Sequence, residues 1–126
     1  MPHTFPVKVY YEDTDAGGVV YYANYLRLME RARTEYLAEL GVSVAELHNA
    51  GQLLVVTHID IDYRRPAHLG EVLDVTTELE EAKTVRVVLR QRVSRQGTEL
   101  VDARVTFACV DRDGKPQRLP AVFSRS

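Results

Sequence analysis

One long helical period near the N-terminus, followed by almost unbroken strand alternation after residue 52, restricts the fold of this chain more than any other feature. Across residues 22–40 the apolar positions Tyr22, Tyr25, Leu26, Met29, Ala32, Tyr36, Leu37 and Leu40 recur at the spacing of one helix face. The predicted helix is about 19 residues, on the order of 28 Å, in length. Gly41 is its natural stop. Ser43-Val44-Ala45-Glu46 then opens a short second helix, which Gly51 ends.

The remainder reads as strand. Residues 53–64 alternate with Val55, Thr57, Ile59, Ile61 and Tyr63 on one face. Residues 72–80 place Leu73, Val75 and Leu79 together, and residues 84–94 do the same with Val85, Val87, Leu89 and Val93. Residues 99–110 contribute Val101, Ala103, Val105, Phe107 and Cys109. A further strand precedes the helix at residues 5–12, with Pro6 confined to its entry. Asp113-Gly114 is a turn, and Pro116, Pro120 and the closing Ser-Arg-Ser predict a weakly ordered tail. A sheet with one apolar face and one amphipathic helix is satisfied when the sheet curls around the helix. The expected class is therefore α+β: a five-stranded antiparallel sheet wrapped around one long central helix. With 126 residues a single domain, 1–126, is expected.

Composition narrows the function. A net charge of −2 gives no basic excess, which argues against nucleic acid as a partner. An anionic substrate must then find local positive charge, for which Arg64, Arg65, Lys83, Arg86 and Arg90 are candidates. The one cysteine, Cys109, allows no internal disulfide and reads as a buried apolar side chain. No apolar run is long enough to insert in a membrane, and Met-Pro-His-Thr-Phe lacks the features of a secretory signal. A cytoplasmic location is expected.

The chemistry concentrates in Tyr10-Tyr11-Glu12-Asp13-Thr14-Asp15-Ala16-Gly17-Gly18-Val19-Val20-Tyr21-Tyr22-Ala23-Asn24-Tyr25. Here a strand end, two acids and a Gly pair feed into the helix. A helix start presents unpaired N–H groups and partial positive charge that polarise a carbonyl oxygen. A carboxylate beside it attacks that carbonyl or activates a water. Asp15 is nearer the glycines and the helix than Asp13, which reads with Glu12 as a turn or strand-end acid. The plain alternative for Asp15 is an Asx hydrogen bond. Gly17 and Gly18 either serve the turn alone or leave the backbone open to a ligand. Asn24 either orients the turn or caps the helix.

Asp-Thr-Asp-Ala-Gly-Gly-Val-Val-Tyr, then Ala-Asn-Tyr and Glu30-Arg31-Ala32-Arg33-Thr34-Glu35, resembles the acyl-CoA thioesterase family. That family includes 4-hydroxybenzoyl-CoA thioesterase and the Tol-Pal-associated YbgC-type enzymes. The resemblance implies the hotdog fold and hydrolysis of an acyl-CoA, short-chain aliphatic or aromatic, to free acid and CoA. It selects Asp15 as the catalytic carboxylate, either nucleophile or general base. It gives Tyr22 a catalytic part through its backbone N–H, with its ring lining the acyl pocket. Gly17, Gly18 and Asn24 are the substrate-binding positions. A His commonly stands where this chain has Tyr22 in the Tol-Pal-associated branch, whereas the hydroxybenzoyl branch has Tyr. No metal and no separate cofactor is expected, since coenzyme A is part of the substrate. The resemblance further implies a homo-oligomer, dimer or tetramer, and association with Tol-Pal.

Competing sites weigh less. Glu30 lacks the His-Gly-Gly turn that precedes a helix-borne catalytic acid in a second group of hotdog thioesterases. His58, Asp60 and Asp62 share one strand face without a second His nearby, the pattern of a solvated face. A dehydratase needs a His paired with a carboxylate, and the sequence puts none of its four His beside the turn. A non-catalytic acyl-CoA or acyl-carrier-protein binding module on the same fold is the alternative function.

Overall fold

The computed structural model of the chain describes residues 2–125. Strand β1 (His3–Lys8) leads through a 3-10 turn at Tyr11–Asp13 and a loop into helix α1 (Asn24–Glu39). Helix α2 (Val44–Asn49) follows, then β2 (Leu53–Tyr63), β3 (Val72–Ala82), β4 (Arg86–Arg95) and β5 (Thr98–Val110). All five strands form one antiparallel sheet in the order β1-β3-β4-β5-β2. The expected α+β architecture is observed. Its helix runs closest to β1 and β3 and packs side chains against β4 and β5 as well, leaving β2 at the far edge.

The core divides along the helix. Near its start Tyr25, Leu28, Met29 and Ala32 pack with Leu73, Val75, Val93 and Val101. Near its end Tyr36 and Leu37 pack with Val87, Leu89, Phe107 and Cys109. Burial pushes the Cys109 thiol pKa up, consistent with an apolar role. Leu28, absent from the predicted face, is buried, whereas Leu40 is exposed.

Three differences from the sequence reading have local causes. The helix begins at Asn24, because residues 21–24 make a turn closed by Asn24 N–H to the Tyr21 carbonyl at 2.8 Å. Tyr22 thus precedes the helix and is not a core aromatic. In β2 the register shifts between Val56 and His58, inserting Thr57 as a bulge. Ile59, Ile61 and Tyr63 share one face as expected, but Leu54 and Val56, opposite Cys109 and Phe107, join it in place of Val55 and Thr57. Finally, the predicted loose tail is a 3-10 helix at Ala121–Arg125, anchored by Phe123 against Phe107 at 6.2 Å between ring centroids. Ser126 lies outside the described residues.

The outer sheet face carries an ion-pair network. Arg90 grips Asp102 with two hydrogen bonds of 3.1 and 2.8 Å, and Arg64 and Arg92 add charge to the same carboxylate. The Arg90 hydrogen bonds outweigh burial and hold the Asp102 carboxyl below its ordinary range. A depressed carboxyl pKa adds stability above the unfolded value and loses it as pH falls through the folded one. Asp102→Asn should therefore flatten the acid limb of a melting-temperature profile below about pH 4. An unchanged acid limb would remove Asp102 from acid stability.

Candidate active site

The acidic turn folds into a small three-stranded patch. Asp15 N–H donates to the Val19 carbonyl at 2.9 Å, and Val20 N–H donates to the Ala67 carbonyl at 2.8 Å. Isolated pairings join Thr14 to Val20 and Val19 to His68. Val20 and Ala67 are buried, while Asp15 and His68 are exposed. Strand alternation thus sends Asp15, Val19 and His68 out on one face. His68 lies beside the turn after all, contrary to the sequence reading. Its carboxylate partner is Glu71, 3.3 Å from Nδ1, rather than Asp15.

Asp15 Oδ1 accepts the Gly17 N–H at 2.8 Å, so the Asx hydrogen bond exists. That bond fixes the side chain and leaves Oδ2 without a partner among the described residues. A Cβ at Gly17 would sit 3.2 Å from Asp15 Oδ1, and Gly18 has φ +78. The first glycine leaves room for the carboxylate and the second supplies a left-handed backbone. Asp13 is buried, its Oδ2 accepting the Tyr10 N–H at 2.9 Å, which makes it structural.

Behind the carboxylate, the helix entry is pinned on both sides. The Asp13 carbonyl accepts from Tyr21 N–H at 3.0 Å and from Asn24 Nδ2 at 2.9 Å. Asn24 therefore ties the turn, and the N-cap position falls to Ala23, which has no side-chain cap. Between these anchors the N–H groups of Tyr22 and Ala23 have no acceptor among the described residues. Two free donors at a helix start are a ready site for negative charge.

An aromatic group stands over this entry. Tyr22 is 61% exposed, its ring 4.8 Å from that of Tyr21 and 6.2 Å from that of Tyr63. Tyr25 is buried, its hydroxyl accepting the Ala67 N–H at 3.1 Å, and burial raises its pKa. Tyr63 was missed as a site residue: in sequence it is only the last apolar position of a strand.

Two cavities lie elsewhere. One of about 1180 Å³ sits at the end of α1, between Tyr36, Glu78, Thr84 and Leu119. Another of about 250 Å³ lies beside Arg33, Leu37, Val56 and Phe107. Neither touches Asp15 or Tyr22, and both of these residues are exposed in the single chain. Of the basic candidates, Arg64 and Arg90 are committed to Glu99 and Asp102, and Lys83 is 3.5 Å from Glu81. Arg65, in the loop that pairs with the turn, has no acidic partner among the described residues. His58, Asp60 and Asp62 form no metal-binding group among the described residues. No described helix is long and apolar enough to cross a membrane.

Comparison with known proteins agrees with the fold. Residues 9–126 match the family described as the thioesterase-like superfamily. The acyl-CoA thioesterase YbgC of Haemophilus influenzae is 50% identical over 109 residues, 86% of this chain and 80% of that protein. The acyl-CoA thioester hydrolase YbgC of Shigella flexneri is 42% identical over 118 residues, covering 92% and 88% respectively. Among solved structures, a 1,4-dihydroxy-2-naphthoyl-CoA thioesterase from Synechocystis superposes with a TM-score of 0.90 at 26% identity, covering 98% and 93%. The similarity thus runs to YbgC-named proteins even though position 22 is Tyr.

Proposed function

The chain belongs to the thioesterase-like superfamily, and on that premise we propose that it hydrolyses acyl-CoA thioesters to free acid and CoA through Asp15 and the helix entry. Acyl-CoA thioesterase activity is supported by relatives 42–50% identical over most of both chains. The observation that supports the residue assignment is an Asp15 carboxylate with one oxygen committed to Gly17, in a turn leading into a helix entry where the Tyr22 and Ala23 N–H groups have no acceptor among the described residues.

In this reading the thioester oxygen lies against those two N–H groups. Each donor that meets the developing oxyanion lowers the barrier by about 3–4 kcal/mol. Asp15 Oδ2 either attacks the carbonyl carbon, expelling CoA thiolate and leaving a mixed anhydride, or takes a proton from an attacking water. A single turnover in ¹⁸O water separates the two: label in the Asp15 carboxyl supports the nucleophile. Gly17 and Gly18 keep the approach open. Tyr21, Tyr22 and Tyr63 offer an aromatic wall suited to aromatic or short aliphatic acyl groups. Arg65 is the preferred anchor for the CoA phosphates, being a cation on the neighbouring loop with no acidic partner among the described residues.

A homo-oligomer, dimer or tetramer, belongs to the same reading. Tyr21, Tyr22, Val55, Val56 and Tyr63 are exposed, and β2 is a long sheet edge. A second copy over that region would wall the open site. A cytoplasmic location fits the single buried Cys109, and Tol-Pal association rests on the resemblance alone.

The test is release of free thiol from a panel of acyl-CoA substrates. Turnover of aromatic and short aliphatic members is expected. Binding of the panel without thiol release would favour the acyl-binding module instead.

A further inference from the structure

We propose that Tyr63 is a positioning residue for hydrolysis, its hydroxyl fixing and polarising the peptide that presents the Ala23 N–H to the thioester oxygen. The inference rests on the hydrolase reading above. Tyr63 Oη donates to the Tyr22 carbonyl at 3.0 Å, across 41 positions of sequence. That carbonyl and the Ala23 N–H are the two ends of one peptide group. No peptide bond of the described chain is cis, so the two groups point in opposite directions. A donor on the carbonyl side therefore directs the N–H away from Tyr63.

Three further contacts make this a held arrangement. Asn24 N–H closes the turn onto the Tyr21 carbonyl, and Asn24 Nδ2 and Tyr21 N–H both anchor to Asp13. These bonds restrain the residues on either side of the Tyr22–Ala23 peptide. Tyr63 supplies the restraint on the peptide itself. Its ring rests 5.6 Å from that of Tyr25, which is fixed by the Ala67 N–H. The Tyr63 phenol pKa is raised by burial and by Tyr22, so the group remains a proton donor at neutral pH. A hydrogen bond accepted at a peptide carbonyl also strengthens donation by the N–H of the same unit. Pre-set donors act on the transition state more than on bound substrate, so the effect belongs in kcat.

The experiment compares wild type, Tyr63→Phe, Tyr63→Leu and Asp15→Asn with benzoyl-CoA as the probe. Tyr63→Phe keeps the ring and should lower kcat about tenfold with KM within about twofold, and with an unchanged melting temperature. In an Asp15→Asn background, the infrared carbonyl band of bound benzoyl-CoA should move to higher wavenumber when Tyr63→Phe is added. An unchanged kcat and band in Tyr63→Phe, with loss only in Tyr63→Leu, would reduce Tyr63 to packing and overturn the proposal. In that case an inactive Asp15→Asn would leave the hydrolase reading standing. Full activity in Asp15→Asn would overturn both.

Discussion

Asp15→Asn should lower the turnover of acyl-CoA by ~10³-fold or more, the upper part of the range for a positioned acid–base group or nucleophile. Substrate binding should survive within a few-fold, because the Asn side-chain oxygen still accepts the Gly17 N–H and preserves the turn. What disappears is the second carboxyl oxygen, Oδ2, on which attack or proton abstraction depends. Thiol release gives kcat, and equilibrium binding of a non-hydrolysable thioether analogue of the acyl-CoA gives affinity. A variant retaining more than a tenth of wild-type turnover would move the chemistry away from this turn.

The second large effect concerns stability. Gln91 on β4 is wholly buried beneath the middle of α1. Its Nε2 donates to the Met29 carbonyl at 3.0 Å and to Thr77 Oγ1 at 2.9 Å. Its Oε1 accepts from Arg33 Nη1 at 3.0 Å. Burial lowers the Arg33 pKa against the opposing charge of Glu30, and Gln91 Oε1 is a hydrogen-bond acceptor for this partly buried guanidinium. Gln91→Leu keeps the approximate volume but strands the Arg33 cation and the Thr77 hydroxyl. A loss of about 3 kcal/mol is expected, because Arg33 Nη1 loses its acceptor while Thr77 Oγ1 and the Met29 carbonyl lose a donor. For a domain of this size that corresponds to a melting temperature lower by about 10 °C. Adding Arg33→Met should recover more than half of the loss, since apolar pairs replace buried polar ones well when both partners change. Urea denaturation of the two singles and the double closes the cycle. If the double variant is as unstable as the sum of the singles, Arg33 and Gln91 are not coupled.

The same residues show why parts of the fold resisted reading from sequence. Gln91 interrupts the run Val87, Leu89, Val93 and looks like a gap in the apolar face. Its partners on α1 and β3 become visible only when helix and sheet are stacked. The β2 bulge at Thr57 is similar. Period-two counting carries Val55 and Thr57 onto the inner face, and pairing with β5 decides where one residue is skipped. Phe123 reads as part of a tail because prolines precede it, yet Phe107 offers it a ring to pack on.

The site divides along the same line. Asp15, the Gly pair and the approach of a helix start are properties of residues a few positions apart. Local turn chemistry and helical spacing were enough to single them out. The helix start itself fell two residues late, because Tyr22 has the apolar character of the helix face but sits in the preceding turn.

The sequence by itself determined one amphipathic helix, a set of alternating strands, and an acid–glycine turn joining strand to helix, because each depends on neighbours within about one or two turns of chain. Tertiary structure decided that β2 crosses to the far edge, that His68 lies beside Val19, and that Tyr63 reaches the Tyr22 carbonyl. Those contacts are set by strand order and register, which bring together groups far apart in the chain.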